Sequence, residues 1–126
     1  MFPEKLTQTA NTLVEYCNSG QEKKGLDELY AADAVSVEGA DMMGQGREMQ
    51  GVEAIKGKHD WWNGAHDIHE STADGPFFYG EDQFGVIFQM DVTNKENGER
   101  HKGRELGIYT VNGDGKIVKE EFFYGM

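Results

Sequence analysis

Apolar residues in the first half of the chain recur at intervals of three and four, and this spacing predicts amphipathic helices. The predicted helices cover residues 4–18, residues 22–31 with Tyr30 on the apolar face, and about 52–63, ended by Gly64. The first half of the chain is therefore predicted to be mainly helical.

Apolar and polar residues alternate in the second half, which predicts β-strands whose two faces differ in polarity. The predicted strands are 66–79, 84–93, 102–111 and 116–124, with a short strand at 34–38 in the first half. A tight turn at 112–115 is predicted to pair Val111 with Lys116. Residues 39–50 form a long irregular stretch and a candidate mobile lid. Helices segregated from a meandering antiparallel sheet predict a single α+β domain over residues 1–126.

The balance of charges argues against several classes of binding partner. The chain has 23 acidic and 12 basic residues and a formal net charge of −11. A phosphate-binding basic face is therefore not expected, so we predict no nucleic acid partner and no adsorption to an anionic membrane. The single cysteine, Cys17, excludes an internal disulfide, and no apolar run is long enough to span a membrane. We predict a cytoplasmic protein.

Three segments resemble the nuclear-transport-factor-2-like superfamily, in its SnoaL-like and ketosteroid-isomerase-like branch. They are Leu29–Val35, Gly51–Ile55 and residues 107–124. With the order of helices and strands, the resemblance covers nearly the whole chain. It implies a cone-shaped α+β barrel, in which a curved antiparallel sheet wraps over three N-terminal helices around a pocket for a small organic ligand, and usually a homodimer. It fixes no activity, because the superfamily includes isomerases, polyketide cyclases, dehydratases, hydrolases and non-catalytic binding proteins.

A ketosteroid-isomerase-like site, as the resemblance implies it, needs a carboxylate base and two donors for the enolate oxygen. The base position matches Glu38, which keeps a carboxylate. The tyrosine donor position matches Leu13 and the aspartic acid donor position matches Gly107, so both donors are missing. Tyr16 lies about 300° further round the first helix than Leu13 and is not a safe substitute. That isomerase mechanism is therefore not expected.

Two further glutamates are predicted to share the inner face of the sheet. With Gly107 taken as inward-facing, alternation also turns Glu105 and Tyr109 inward. The predicted turn then sets Gly107 opposite Glu120 and Glu105 opposite Phe122, so that the two glutamates are diagonal neighbours roughly 7–8 Å apart at the backbone. Their repulsion would keep one of them protonated near neutral pH. The predicted catalytic residues are Glu38, Glu105, Glu120 and Tyr109.

Apolar side chains are predicted to line the pocket around these carboxylates and to contact a flat or hydrophobic ligand. The predicted binding residues are Leu13, Trp62, Val86, Phe88, Met90, Phe122 and Tyr124. No metal and no cofactor are predicted. His59, His66 and His69 are close in the sequence, but their spacing crosses a helix end and matches no standard zinc pattern. Cys17 lies on an apolar stripe, where core packing is expected rather than a nucleophilic role.

Two functions stay open from the sequence. The first is an acid–base enzyme for a small apolar carbonyl compound, of isomerase, polyketide-cyclase-like or dehydratase type. The second is a non-catalytic ligand-binding or dimeric interaction module, whose glutamates are solvated or paired with neighbours such as Arg104, Lys116 or Lys119. Leu106, Ile108 and Phe123, on the predicted outer sheet face, are apolar enough for a homodimer contact.

Overall fold

A computed structural model describes residues 2–41, 44 and 46–124 of the protein. The helices are α1 (Glu4–Asn18), α2 (Glu22–Leu29) and α3 (Val52–Ala65). The strands are β1 (Tyr30–Val37), β2 (Glu48–Gln50), β3 (His66–Tyr79), β4 (Gln83–Asn94), β5 (Arg100–Val111) and β6 (Ile117–Tyr124). No helix in the described part of the chain has the length and apolar character needed to cross a membrane.

The six strands form one curved, unclosed sheet in the order β2-β1-β6-β5-β4-β3, with the helices packed against it. The predicted α+β class is confirmed. The sheet is mixed rather than wholly antiparallel, because β1 runs parallel to β6 while every other neighbouring pair is antiparallel. The parallel pair places the end of β1 beside the middle of β6, which brings side chains from both strands to one site.

The predicted helices form, and their ends differ where a neighbouring strand begins. Helix α2 stops at Leu29 and Tyr30 opens β1, so the prediction of helix through residue 31 is wrong. The reason is long-range pairing, since Tyr30 aligns with Ile117 of the parallel strand β6. Helix α3 continues through Gly64 to Ala65, and β3 follows without a loop.

The segment 39–50, predicted to be irregular, contains a strand that the sequence pattern did not reveal. Strand β2 pairs with the end of β1, with Met49 opposite Ser36. The prediction of a mobile lid falls partly on residues 42, 43 and 45, which lie outside the described residues.

The loop of the β5–β6 hairpin is one residue longer than predicted. Val111 aligns with Ile117 and not with Lys116. Gly115 has φ +82°, in the left-handed region that glycine adopts without strain. Its carbonyl accepts a hydrogen bond of 2.6 Å from the buried Thr9 hydroxyl of α1. The loop therefore docks on the first helix, and this contact favours the longer connection.

The longer loop, with an irregularity between Thr110 and Val111, moves the register of β5 on β6 by two residues. Tyr109 lies opposite Glu120, and Glu105 lies opposite Tyr124, so the predicted pairings of Gly107 with Glu120 and of Glu105 with Phe122 are wrong. A shift of two leaves every side chain on its predicted face. Because Tyr109 is the residue opposite Glu120, Glu105 lies four residues, about 13 Å along β5, from that position.

The core lies between the helices and the inner face of the sheet. We call this space the cone. Its buried apolar side chains come from all three helices and from five of the strands. They include Leu6, Leu13, Leu26, Ile55, Phe84, Val86, Tyr109, Val111, Ile117 and Phe122. Much of the cone is therefore filled with protein side chains, and polar groups enter it from β1, β6 and α3.

Candidate active site

Strand register arranges the inner-face side chains of the cone in rows across the sheet. One row holds Ser36, Glu120, Tyr109 and Phe84; the next holds Phe122, Gly107 and Val86; the third holds Tyr124, Glu105 and Phe88. The first row is buried, whereas members of the third row are partly exposed. We call the region around Glu38, Lys58, Phe88, Glu105 and Tyr124 the mouth of the cone.

A fully buried carboxylate, Glu120, lies at the base of the site, with 0% of its surface exposed. The Tyr30 hydroxyl donates a hydrogen bond to one carboxylate oxygen, and the Ser36 hydroxyl donates to the other at 2.7 Å. The ammonium of Lys58 lies 3.4 Å from that second oxygen. A buried carboxylate requires such donors, because its desolvation would otherwise destabilise the fold.

Lys58 connects this buried carboxylate to the mouth. Its ammonium donates to Ser36 Oγ at 2.8 Å and lies 3.2 Å from Oε1 of Glu38. It also lies 5.0 Å above the centre of the Phe122 ring, within range of a cation–π interaction. The side chain of Lys58 is only 15% exposed, so these interactions are weakly screened by water.

Glu38 follows β1 directly and carries the more exposed of the two carboxylates that Lys58 bridges, with 27% of its side chain accessible. Its backbone is fixed from the edge of the sheet: its N–H donates to the Arg47 carbonyl at 2.8 Å, and Arg47 Nε donates to the Glu38 carbonyl at 2.8 Å. The carboxylate predicted as the base therefore reaches the mouth, with a lysine as its partner.

Two tyrosines extend the polar network into the core. Burial, followed by the charge of Glu120, raises the pKa of Tyr30 and of Tyr109 well above the ordinary phenol value. The neighbouring Tyr30 hydroxyl lowers the pKa of Tyr109 by a smaller amount. Both phenols are therefore neutral, and Tyr109, which is 2% exposed, lies beneath the mouth rather than in it.

Glu105 has a raised pKa, of about 7. Burial is the largest cause, and the Glu38 carboxylate raises the pKa as well, whereas Lys58 lowers it and Glu120 adds a smaller rise. Among the described residues, none donates a hydrogen bond to it or pairs with it. The sequence predicted a protonated carboxyl through a Glu105–Glu120 pair; the structure instead gives desolvation as the main cause and Glu38 as the more influential neighbour.

Gly107 has a steric reason to lack a side chain. A Cβ atom there would lie 3.0 Å from the Tyr109 ring, 3.1 Å from the Phe88 ring and 3.2 Å from the Phe122 ring. Three aromatic side chains therefore occupy the space that the acidic donor of a ketosteroid isomerase would need. The other donor position, Leu13, is 4% exposed and packs in the core.

The predicted binding residues divide into a buried and a partly exposed set. Leu13, Val86 and Phe122 are core residues with 4%, 0% and 7% exposure, and a ligand would reach them only after rearrangement. Trp62, Phe88, Met90 and Tyr124 are partly exposed. Trp62 stacks on His66 with ring centres 3.9 Å apart, so it closes the end of α3 over β3. The accessible wall of the mouth is therefore Phe88 and Tyr124, and Met90 lies one inward position further along β4.

The three histidines have different environments. Burial lowers the pKa of His59, and its buried Nε2 has no hydrogen-bond partner in the described part of the chain. His66 Nδ1 lies 3.0 Å from the Trp62 carbonyl, and His69 Nε2 lies 2.6 Å from the Thr93 hydroxyl. Within residues 2–41, 44 and 46–124, no group of three His, Cys, Asp or Glu side chains is arranged to hold a metal ion.

Sequence reasoning missed Tyr30, Ser36 and Lys58, which hold Glu120. A signal existed for two of them. Lys58 lies three residues after Ile55 and four before Trp62, on the inward side of α3, but a lysine is not counted in an apolar stripe. Ser36 lies two residues after the buried Ala34 and so shares its face of β1. Tyr30 was assigned to the wrong element.

The family model of the SnoaL-like domain matches residues 6–124. The chain belongs to the SnoaL-like family. A solved SnoaL-like protein from Mesorhizobium loti, provisionally described as a polyketide cyclase, is 36% identical, with a TM-score of 0.85 over 94% of this chain and 97% of that one. Among functionally curated proteins, none has a sequence significantly similar to this chain.

Two less similar solved structures share the fold alone. A ketosteroid isomerase from Mycobacterium sp. is 20% identical, with a TM-score of 0.70 over 97% of this chain and 94% of that one. A Mycobacterium tuberculosis protein solved with estradiol-17β-hemisuccinate is 17% identical, with a TM-score of 0.74 over 98% and 96% of the two chains.

Proposed function

We propose that this SnoaL-like protein binds a small, largely apolar carbonyl compound at the mouth of the cone and moves a proton on it, as an isomerase, cyclase or dehydratase. The observation that carries the proposal is Glu105, an inward-facing carboxyl that has no hydrogen-bond or ion-pair partner among residues 2–41, 44 and 46–124. Its pKa of about 7 suits both proton uptake and release. The 36% identical protein from Mesorhizobium loti, provisionally described as a polyketide cyclase, supports this reaction class.

Each residue of the mouth has its own role in the proposed proton transfer. Glu105 removes the proton next to the carbonyl and returns it at another atom, while Phe88 and Tyr124 contact the apolar body of the ligand. Glu38 is the second carboxylate within reach of solvent and exchanges the proton with water. Lys58 offsets the negative charge of the site.

Glu120 and Tyr109, predicted as catalytic residues, are assigned positioning roles because they are 0% and 2% exposed. Glu120 accepts hydrogen bonds from Tyr30 and Ser36 and fixes the Lys58 ammonium at 3.4 Å. Tyr109 lies opposite Glu120 on the neighbouring strand β5. The ketosteroid-isomerase mechanism is not proposed, since Leu13 and Gly107 replace its two donors.

A substrate-independent assay tests the proposal. Proton abstraction next to a carbonyl exchanges hydrogen for deuterium, so the protein should accelerate deuterium incorporation into cyclic and aromatic ketones in D₂O, measured by proton NMR. The expected rate rises with pH through about 7, as Glu105 ionises. Exchange at the buffer rate across a broad ketone series would contradict an acid–base role.

A non-catalytic binding module is the second candidate. Its support is the filled core of the cone and the ion pairs of Glu38 and Glu120 with Lys58. Such a module would bind ketones or other flat ligands, detected as quenching of tryptophan fluorescence, without accelerating exchange. Glu105 distinguishes the two candidates, because a binding module does not need an unpaired carboxyl at its mouth.

A homodimer in the cytoplasm completes the proposal. Leu106 and Phe123 lie opposite each other on the outer face of β5 and β6 and are 37% and 47% exposed, with Ile108 and Ile87 beside them. Light scattering should give twice the chain mass of 14.1 kDa, and Leu106→Glu should give the single mass. A wild-type monomer would contradict the proposed dimer.

A reducing compartment agrees with Cys17, whose pKa burial raises to about 12.

A further inference from the structure

The charges around the mouth are unequal. Three glutamates lie on the side of the sheet that faces α3: Glu38, Glu105 and Glu120. The cation that α3 contributes to this region is Lys58. Lys102 and Arg104 alternate with the inward-facing Gly103 and Glu105, so they lie on the opposite face of β5. Arg47, at the rim, is exposed and donates to the Glu38 carbonyl. A ligand in the mouth therefore meets a negative potential, in a chain of net charge −11.

The cation of the mouth is already occupied by protein acceptors. The Lys58 ammonium has three N–H groups, and three acceptors lie within 3.4 Å of it: Ser36 Oγ, Glu38 Oε1 and Glu120 Oε2. Its remaining side lies over the Phe122 ring. An anionic ligand would have to displace one of the two carboxylates to reach Lys58, and would leave that carboxylate without its partner.

Glu105 differs from Lys58, because its carboxyl oxygens can still accept hydrogen bonds from a ligand. Its carboxyl faces the cone between Phe88 and Tyr124, and in the described part of the chain no side chain or backbone group donates to it. A desolvated carboxyl without a donor is stabilised by any donor that a ligand brings. The aromatic rings beside it accept the positive end of such a donor more readily than a negative group.

We infer that the mouth selects a flat, largely apolar ligand whose polar end is a hydrogen-bond donor, a hydroxyl or an ammonium group, and disfavours carboxylates and phosphates. This inference rests on the proposed function in so far as the mouth is the binding site. It narrows the ligand class by charge: the carbonyl compound is neutral or cationic and also carries a hydroxyl or ammonium group. That group donates to one oxygen of Glu105, which leaves the other oxygen for the proton transfer.

Three naphthalene derivatives that differ only in the head group test the inference: 2-naphthylmethylamine, 2-naphthylmethanol and 2-naphthoate. Calorimetric titration about one pH unit above the pKa of Glu105 should show the amine and the alcohol binding at least about tenfold more tightly than the carboxylate. Lowering the pH to about one unit below that pKa should weaken the amine relative to the alcohol, because Glu105 loses its charge.

Glu105→Gln assigns the preference to one residue. The ratio of amine to carboxylate affinity should fall by about tenfold in this variant and stay unchanged in Glu81→Gln, an exposed glutamate in the β3–β4 turn. The inference is overturned if naphthoate binds as tightly as the alcohol, if Glu105→Gln leaves the ratio unchanged, or if none of the three binds. Ketone exchange without the charge preference would overturn the inference and leave the proposed function standing.

Discussion

Replacing Glu105 by glutamine should lower the rate of ketone deuterium exchange by at least about 100-fold. Glutamine has nearly the same shape and fits beside Phe88 and Tyr124, but it neither accepts nor returns a proton at neutral pH. The wild-type rate should follow the ionisation of a group with a pKa of about 7, and the variant should lose that dependence. NMR rate measurements between about pH 5 and 9 cover the transition on both sides.

The stability of Glu105→Gln shows whether a loss of exchange comes from the missing carboxyl or from misfolding. The folded pKa of Glu105 is raised above its ordinary value of 4.5, so folding binds a proton and the stability that Glu105 contributes is lost as the pH rises from 4.5 to about 7. Glu105→Gln should therefore gain stability relative to wild type across that window, as measured by urea unfolding. Loss of exchange together with loss of stability at about pH 8 would point to misfolding and against the assigned role.

Replacing Lys58 by methionine should destabilise the protein by about 3 kcal/mol or more. The substitution keeps a long side chain over the Phe122 ring but removes the cation beside Glu120, which is 0% exposed. Among the residues that the structure describes, the Tyr30 and Ser36 hydroxyls are then the remaining donors to this buried carboxylate. The free energy of unfolding, from guanidinium titration, measures the loss.

Two control variants make this prediction specific. Lys56→Met is the same change two residues earlier on α3, where Lys56 pairs with Asp27 and Glu53, whose side chains are 63% and 84% exposed; its cost should be about 1 kcal/mol or less. Lys58→Met combined with Glu120→Gln should recover much of the lost stability, because no buried charge remains. Equal losses for the two lysines would contradict the buried cluster.

Periodicity predicted the helices and most strands because each has one apolar face. It failed where a long-range contact decides the outcome. Tyr30 continues the apolar face of α2, yet it opens β1 because parallel pairing with β6 and the hydrogen bond to Glu120 override the local pattern. Strand β2 is three residues long and paired on one edge only, and it carries no apolar alternation that would reveal it.

The candidate site was predictable in part for a physical reason. Strand alternation fixes which face a residue occupies, and the inward positions of Glu105, Tyr109 and Glu120 survive a two-residue error in register. Alternation does not fix which inward residues are neighbours. That depends on the hairpin loop, which is docked on α1 by the hydrogen bond from Thr9 to Gly115, and on the irregularity between Thr110 and Val111. Lys58 was missed although its position is on the inward side of α3, because a lysine is not counted in an apolar stripe.

The most direct test of the account is the protonation of Glu105 itself. Carbon-13 NMR of the glutamate side-chain carboxyls, with the Glu105 signal assigned by its absence in Glu105→Gln, follows ionisation without any ligand. The account predicts a midpoint of about 7 for this carboxyl. A midpoint near the ordinary value of 4.5 would show a solvated carboxylate and would contradict the acid–base site at the mouth of the cone.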